Sequence, residues 1–212
     1  REQTMDGDQQ DVLTFLPKSF GKDIRRIVMK KSYRNTIEIA SYANKLAGIT
    51  EVELFERHGK PVEEKEFTGL TEALERVVKE LRLEKQTVAE ADEDMPENAA
   101  SETDGTETGE ELSYETAAVI TRTADEAREA YYILQKKLEA EGFDTKERLS
   151  LLHRDSTNFK KGLTVTTFYM AKGLEFDQVF GVFPKKENPM TGQAKYICAT
   201  RALHELYMYE RA

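Results

Sequence analysis

The sequence predicts an α/β protein with a mostly parallel sheet covered by helices on both faces. Short apolar runs of strand length alternate along the chain with segments of helical period. The helical segments reach ten residues or more, which is what a crossover between parallel strands requires. At 212 residues with 39% hydrophobic content, the chain is long enough for one domain with a sizeable buried core.

The elements follow in order. "RRIVMKK" reads as a strand. "NTIEIASYANKLAG" sets Ile37, Ala40, Tyr42, Ala43 and Leu46 near one face of a helix, with Gly48 as its stop. "VELF" is a short strand, and "TEALERVVKELRLEK" a strongly amphipathic helix. After an acidic interruption comes the strand "TAAVITRT". Thr123 then serves as N-cap, with Glu126 three residues on, for the helix "ADEAREAYYILQKKLEAEG". "RLSLLHR", "LTVTTFY", "QVFGVF" and "ELYMYE" complete the strands, and "QAKYICATRALH" supplies another helix, with Arg201 inside it. Ligands in such sheets bind at the carboxyl ends of the strands. "AKGLEFD" directly follows "LTVTTFY", so it is expected at a binding edge.

Composition narrows the function. No apolar run approaches the roughly 20 residues that cross a bilayer, and the opening "REQTMDGDQQ" is no signal peptide. A single cysteine, Cys198, excludes an internal disulfide and favours a reducing, cytoplasmic setting. With three histidines and no Cys/His cluster, a structural zinc site is not expected. The net charge of −9 is concentrated: between Glu90 and Glu111 lie ten acidic residues and no basic one, and without them the chain is near neutral. This stretch lacks aromatic residues and cannot offset the entropy of ordering it, so residues 86–113 are expected to be a disordered acidic insertion.

Three short motifs carry charged residues at element boundaries. "KSYRNTIEIA" places Tyr33 and Arg34 between a strand and a helix, "AKGLEF" follows a strand, and "ATRA" precedes the last strand. Taken singly, each has an ordinary reading as a surface ion pair, a core aromatic or a charged turn tip. Together, and in this order, they resemble the fourth, fifth and sixth motifs of the second motor domain of superfamily 1 DNA helicases of the Rep and UvrD type. "REQTM" resembles the tail of the third motif. The resemblance runs from Gln3 to Tyr209.

That resemblance implies a RecA-like second motor domain over residues 1–212 of an ATP-dependent helicase, working on DNA. It implies Arg34 and Arg201 as catalytic arginines stabilising charge on the terminal phosphate. Guanidinium suits this role, being always charged and able to make two parallel bonds to phosphate. Gln3 would sense that phosphate or position the attacking water. Tyr33 would stack on adenine, Glu175 would accept from the ribose hydroxyls, and Gly173 would let the backbone approach the nucleotide. Thr167 and Lys172 would face the nucleic-acid strand. No GxxxxGK followed by Ser or Thr occurs, so the phosphate loop, and with it most of the hold on ATP-bound magnesium, would come from a first motor domain that this chain lacks. The chain is thus expected to be a fragment, inactive alone, whose partners are that domain and DNA.

Two departures matter. Rep-type helicases usually carry histidine where this chain has Tyr169, and the stretch between the fourth and fifth motifs has no room for their large extra subdomain. Both features, with "FERHGKP", look more like the HelD branch, whose members act on RNA polymerase. Two rival classes are an interaction module that keeps the motor fold without chemistry and an unrelated parallel α/β transferase. The first is disfavoured because Gln3, Arg34 and Arg201 are all present. The second would need its own phosphate loop or nucleophile, and His58, His153 and His204 are scattered.

Overall fold

A computed structural model of the chain describes residues 31–32, 34–49, 53–54, 56–83, 113–154, 156, 161–185 and 189–212. The elements, in order, are β1 (Lys31–Ser32), α1 (Ile37–Ala47), β2 (Glu53–Leu54), β3 (Glu63–Phe67), α2 (Leu70–Glu80) and β4 (Thr116–Thr121). There follow α3 (Ala124–Ala140), α4 (Thr145–Arg148), β5 (Leu149–Leu151), β6 (Gly162–Thr167), β7 (Phe176–Pro184), α5 (Pro189–Ala199) and β8 (Ala202–Arg211). Six strands form one sheet in the order β3-β8-β7-β4-β6-β5, every neighbouring pair parallel. β1 and β2 form a separate parallel pair. The insertion expected over 86–113 falls almost wholly outside the described residues.

The period-2 alternation of the strands divides the core in two. On β4, Ala117 and Val119 face α2 and α3, meeting Leu74, Val77, Ala130 and Leu134. Ala118 and Ile120 face the other way, onto Ile39 and Ala43 of α1 and Ala194, Ile197 and Cys198 of α5. Helices therefore cover both faces, as the alternation of periods requires. Ile39, which the sequence reading left off the apolar stripe of α1, is fully buried.

The strand "EEKEF" of β3 was not expected. It is an edge strand paired only with β8, where charged side chains block further pairing. The single-turn α4 was also missed; the Asp144 side chain caps it by accepting from the Lys146 and Glu147 amides. The capping box at Thr123 is present as expected. Thr123 accepts from the Glu126 amide, and the Glu126 carboxylate accepts from the Thr123 amide at 2.9 Å.

The connection from β6 to β7 positions the site. Thr167 pairs with Thr121, and Thr121 with Val182, so Thr167 lies level with the far end of β7. Phe176 starts β7 six residues earlier, about 20 Å back along the strands at the usual rise per residue. Residues 168–175 therefore run from the carboxyl edge of the sheet down to its amino edge, without a crossover helix. Phe168 and Ala171 are buried against the α1/α5 face on the way.

Candidate functional site

The charged motif residues gather at the amino edge, where β7 and β8 begin. Arg201 precedes β8, and its carbonyl accepts from the Phe176 amide at 3.0 Å, which sets Glu175 beside it. Arg34 precedes α1, and the Arg34 Nε lies 2.7 Å from Glu175 Oε1, with both side chains about half exposed. Arg201 is buried: its Nη1 donates to the Leu174 carbonyl and its Nη2 to Thr200 Oγ1, each at 3.1 Å. Burial pulls the Arg201 pKa below the ordinary arginine value; the Arg34 guanidinium pulls the same way, and Glu175 opposes it.

This corrects two sequence expectations. Glu175 sits at the amino edge of the sheet, beside Arg201, rather than at the carboxyl ends of the strands, because "AKGLEF" is itself the descending link. Arg201 also lies beyond α5, in a turn closed by Thr200 N to the Tyr196 carbonyl and Arg201 N to the Cys198 carbonyl.

The backbone around Arg34 is held by groups that the sequence reading did not single out. Buried Asn35 donates from Nδ2 to the Ala202 carbonyl. Arg57 donates from Nη2 to the Arg34 carbonyl at 3.1 Å and also to the Leu203 carbonyl, tying the turn to β8. The Arg57 carbonyl in turn accepts from the Ile37 amide at 2.9 Å, an otherwise orphan donor at the start of α1. Glu38 accepts from the Gly59 amide at 2.8 Å and bonds His58 Nδ1 at 3.0 Å. A Cβ at Gly59 would stand 2.5 Å from the Thr36 methyl, so only glycine lets this segment dock so closely. For Arg57, His58 and Gly59 the signal was the compact "RHGKP", noted in the sequence only as a family-like stretch; Asn35 carried none.

The arrangement suits a polyanion. The Arg201 Nε is buried with no hydrogen-bond partner. Arg57, Arg76, Arg122 and Arg211 share that feature; Arg76 and Arg211 sit against carboxylates, and Arg57 against two carbonyls. The Arg201 hydrogen bonds among the described residues go to a carbonyl and a hydroxyl, and a second guanidinium stands close by. Gly173, on the same link, has φ 91° with open space where a side chain would project; that backbone angle alone favours glycine. Thr167 is at the opposite, carboxyl edge, where its hydroxyl accepts from the Met170 amide at 3.3 Å. Lys172 is exposed in the turn that follows. Gln3 and Tyr33 lie outside the described residues.

Comparison with solved structures gives a match to the C-terminal domain of a possible DNA helicase from Lactobacillus plantarum. It has a TM-score of 0.52 and 17% identity, and covers 85% of this chain and 88% of that one. The fold is RecA-like. At that identity the likeness carries the α/β architecture and no residue roles. No family model and no curated protein matches the sequence. Among the described residues, no helix is long and apolar enough to cross a membrane, and no cluster of His, Cys, Asp and Glu could hold a metal ion.

Proposed function

We propose that this chain is the second motor domain of an ATP-dependent helicase or translocase, completing an ATP site whose phosphate loop belongs to another domain. The observation that carries this reading is the convergence of Arg34, Arg201 and Glu175 at one point of the amino edge, from three segments far apart in sequence. The RecA-like fold, shared with a domain described as part of a possible DNA helicase, supports it.

ATP supplies the phosphoanhydride bond to be broken. Arg34 and Arg201 stabilise negative charge on the terminal phosphate, and the hydrogen bonds from Arg201 to Leu174 and Thr200 fix its aim in advance. Glu175 accepts from the ribose hydroxyls, Tyr33 stacks on the adenine, and Gln3 orders water or senses the phosphate. Thr167 belongs to a nucleic-acid edge some 20 Å away along the strands, and Lys172 faces the same nucleic-acid strand from the link between that edge and the cluster. In the protein carrying both motor domains, Arg201→Ala should lower ATP turnover on the order of 10³-fold while ATP binding weakens far less. Turnover left near wild type would reduce Arg201 to a structural residue and remove the reading. This chain alone should show no steady turnover.

A HelD-type ATPase acting on RNA polymerase is the second reading. It is favoured by one observation: between Arg34 and Lys172, all described elements except α1 and β2 belong to the main sheet or pack on its α2/α3 side, and no extra subdomain occurs among the described residues. Retention of the intact protein on RNA polymerase, without strand separation activity, would select it.

A further inference from the structure

The dipeptide Leu174–Glu175 holds both arginines. The Leu174 carbonyl accepts from Arg201 at 3.1 Å, and the Glu175 carboxylate takes Arg34 at 2.7 Å. Two guanidiniums in one place repel each other, and the Glu175 carboxylate offsets that repulsion. To a guanidinium, a carboxylate and a phosphate present the same kind of oxyanion.

From this geometry we infer that Glu175 is an internal competitor for the phosphate site: it occupies Arg34 until an arriving phosphate takes that arginine from it, and so selects nucleotides over bare polyphosphate. The inference rests on the nucleotide reading above and adds a specificity role to it. The exchange is accessible because the Arg34–Glu175 pair is half exposed, and such pairs are held weakly. A nucleoside triphosphate compensates both partners, its phosphate on Arg34 and its ribose hydroxyls on the released carboxylate. Inorganic tripolyphosphate compensates only the arginine and leaves Glu175 facing another anion. Glu175 therefore penalises the ligand that has no sugar.

The test is to titrate the intact protein with inorganic tripolyphosphate and with ATP, comparing wild type with Glu175→Gln, Arg34→Ala and the double variant. Glutamine keeps the size of the side chain and removes its charge, and matching melting temperatures check the fold. Glu175→Gln should bind tripolyphosphate about fivefold more tightly at low salt, the worth of one nearby unit charge in water. The gain should shrink as salt rises and vanish in the double variant, while ATP affinity does not improve. Unchanged or weaker tripolyphosphate binding by Glu175→Gln, with ATP binding weakened, would leave Glu175 a ribose acceptor only and overturn the competitor role. If Arg34→Ala and Arg201→Ala both leave ATP affinity and turnover untouched, the nucleotide reading itself fails.

Discussion

Arg57 shows how much of a site can rest on a side chain that touches no ligand. It grips two carbonyls, those of Arg34 and Leu203, so the turn bearing Arg34 cannot shift without breaking a hydrogen bond to β8. Under the proposed function, Arg57→Ala in the intact protein should lower turnover about 10- to 100-fold, the usual effect of a misplacement near 1 Å. Single-turnover kinetics beside a melting curve checks this; loss of stability with turnover unchanged would make Arg57 a fold residue alone. Gly59→Ala pushes a methyl into Thr36 and should destabilise the chain by roughly 1–3 kcal/mol in denaturant titration. A change under about 0.5 kcal/mol, the range of neutral surface substitutions, would show that the segment can retreat. Arg34, Glu175 and Arg201 were legible because their motifs have a fixed spelling. Asn35 and Arg57 were not, because they act on backbone carbonyls, which every residue has.

Among the elements, the best-read was α3. Its capping box is written in Thr123 and Glu126, and both halves are formed. Glu126 does more than cap: its other oxygen pairs with Arg211 at the end of β8. Thr123→Ala should therefore remove about 1 kcal/mol, an ordinary cap, whereas Glu126→Ala should remove clearly more, because it also strands the partly buried Arg211. Equal losses in chemical denaturation would mean that the Arg211 pair contributes nothing. The worst-read was β3. A strand announces itself by alternating apolar residues, but an edge strand on a packed sheet needs only one modest inner row, and Glu63 and Lys65 fill part of it with ion pairs. The same economy hid α4, too short to show a period.

Across the whole molecule, ionisable groups define a window of stability. Burial raises the pKa of Tyr42, Tyr207 and Tyr209, with Glu64 adding to it for Tyr42 and Glu205 for Tyr207; it raises Tyr114 to about 12, again with help from Glu205. Raised values mean stability present below the ordinary tyrosine pKa and lost as pH climbs through the folded ones. Glu38 is held low despite its burial by hydrogen bonds from His58 and Gly59, and Glu63 by Lys65 and Arg76; that stability is lost as pH falls below the ordinary carboxylate range. The melting temperature should be flat between about pH 5 and 10 and fall on both sides. A melting temperature that held or rose above pH 10 would contradict the tyrosine shifts. Fold class was legible at this scale, since the alternation of periods dictates a parallel sheet. The edge that bears the site was not, because the period shows where a strand ends but not that the following link doubles back.

The absence of a helix in residues 168–175 governs which changes of length the protein can tolerate. Two tight turns, Ala171 N to the Thr167 carbonyl and Leu174 N to the Ala171 carbonyl, consume most of the link. From Thr167 to Phe176 nine peptide steps, about 30 Å when fully extended, must cover roughly 20 Å along the strands with these turns included, which leaves little slack. The link therefore behaves as a taut tether. Removing one residue from it would have to drag β7 out of register or pull Glu175 off Arg34. An added loop has no home there, whereas Leu83 and Tyr114, at the two ends of the longest gap between described residues, meet side by side in a parallel bridge.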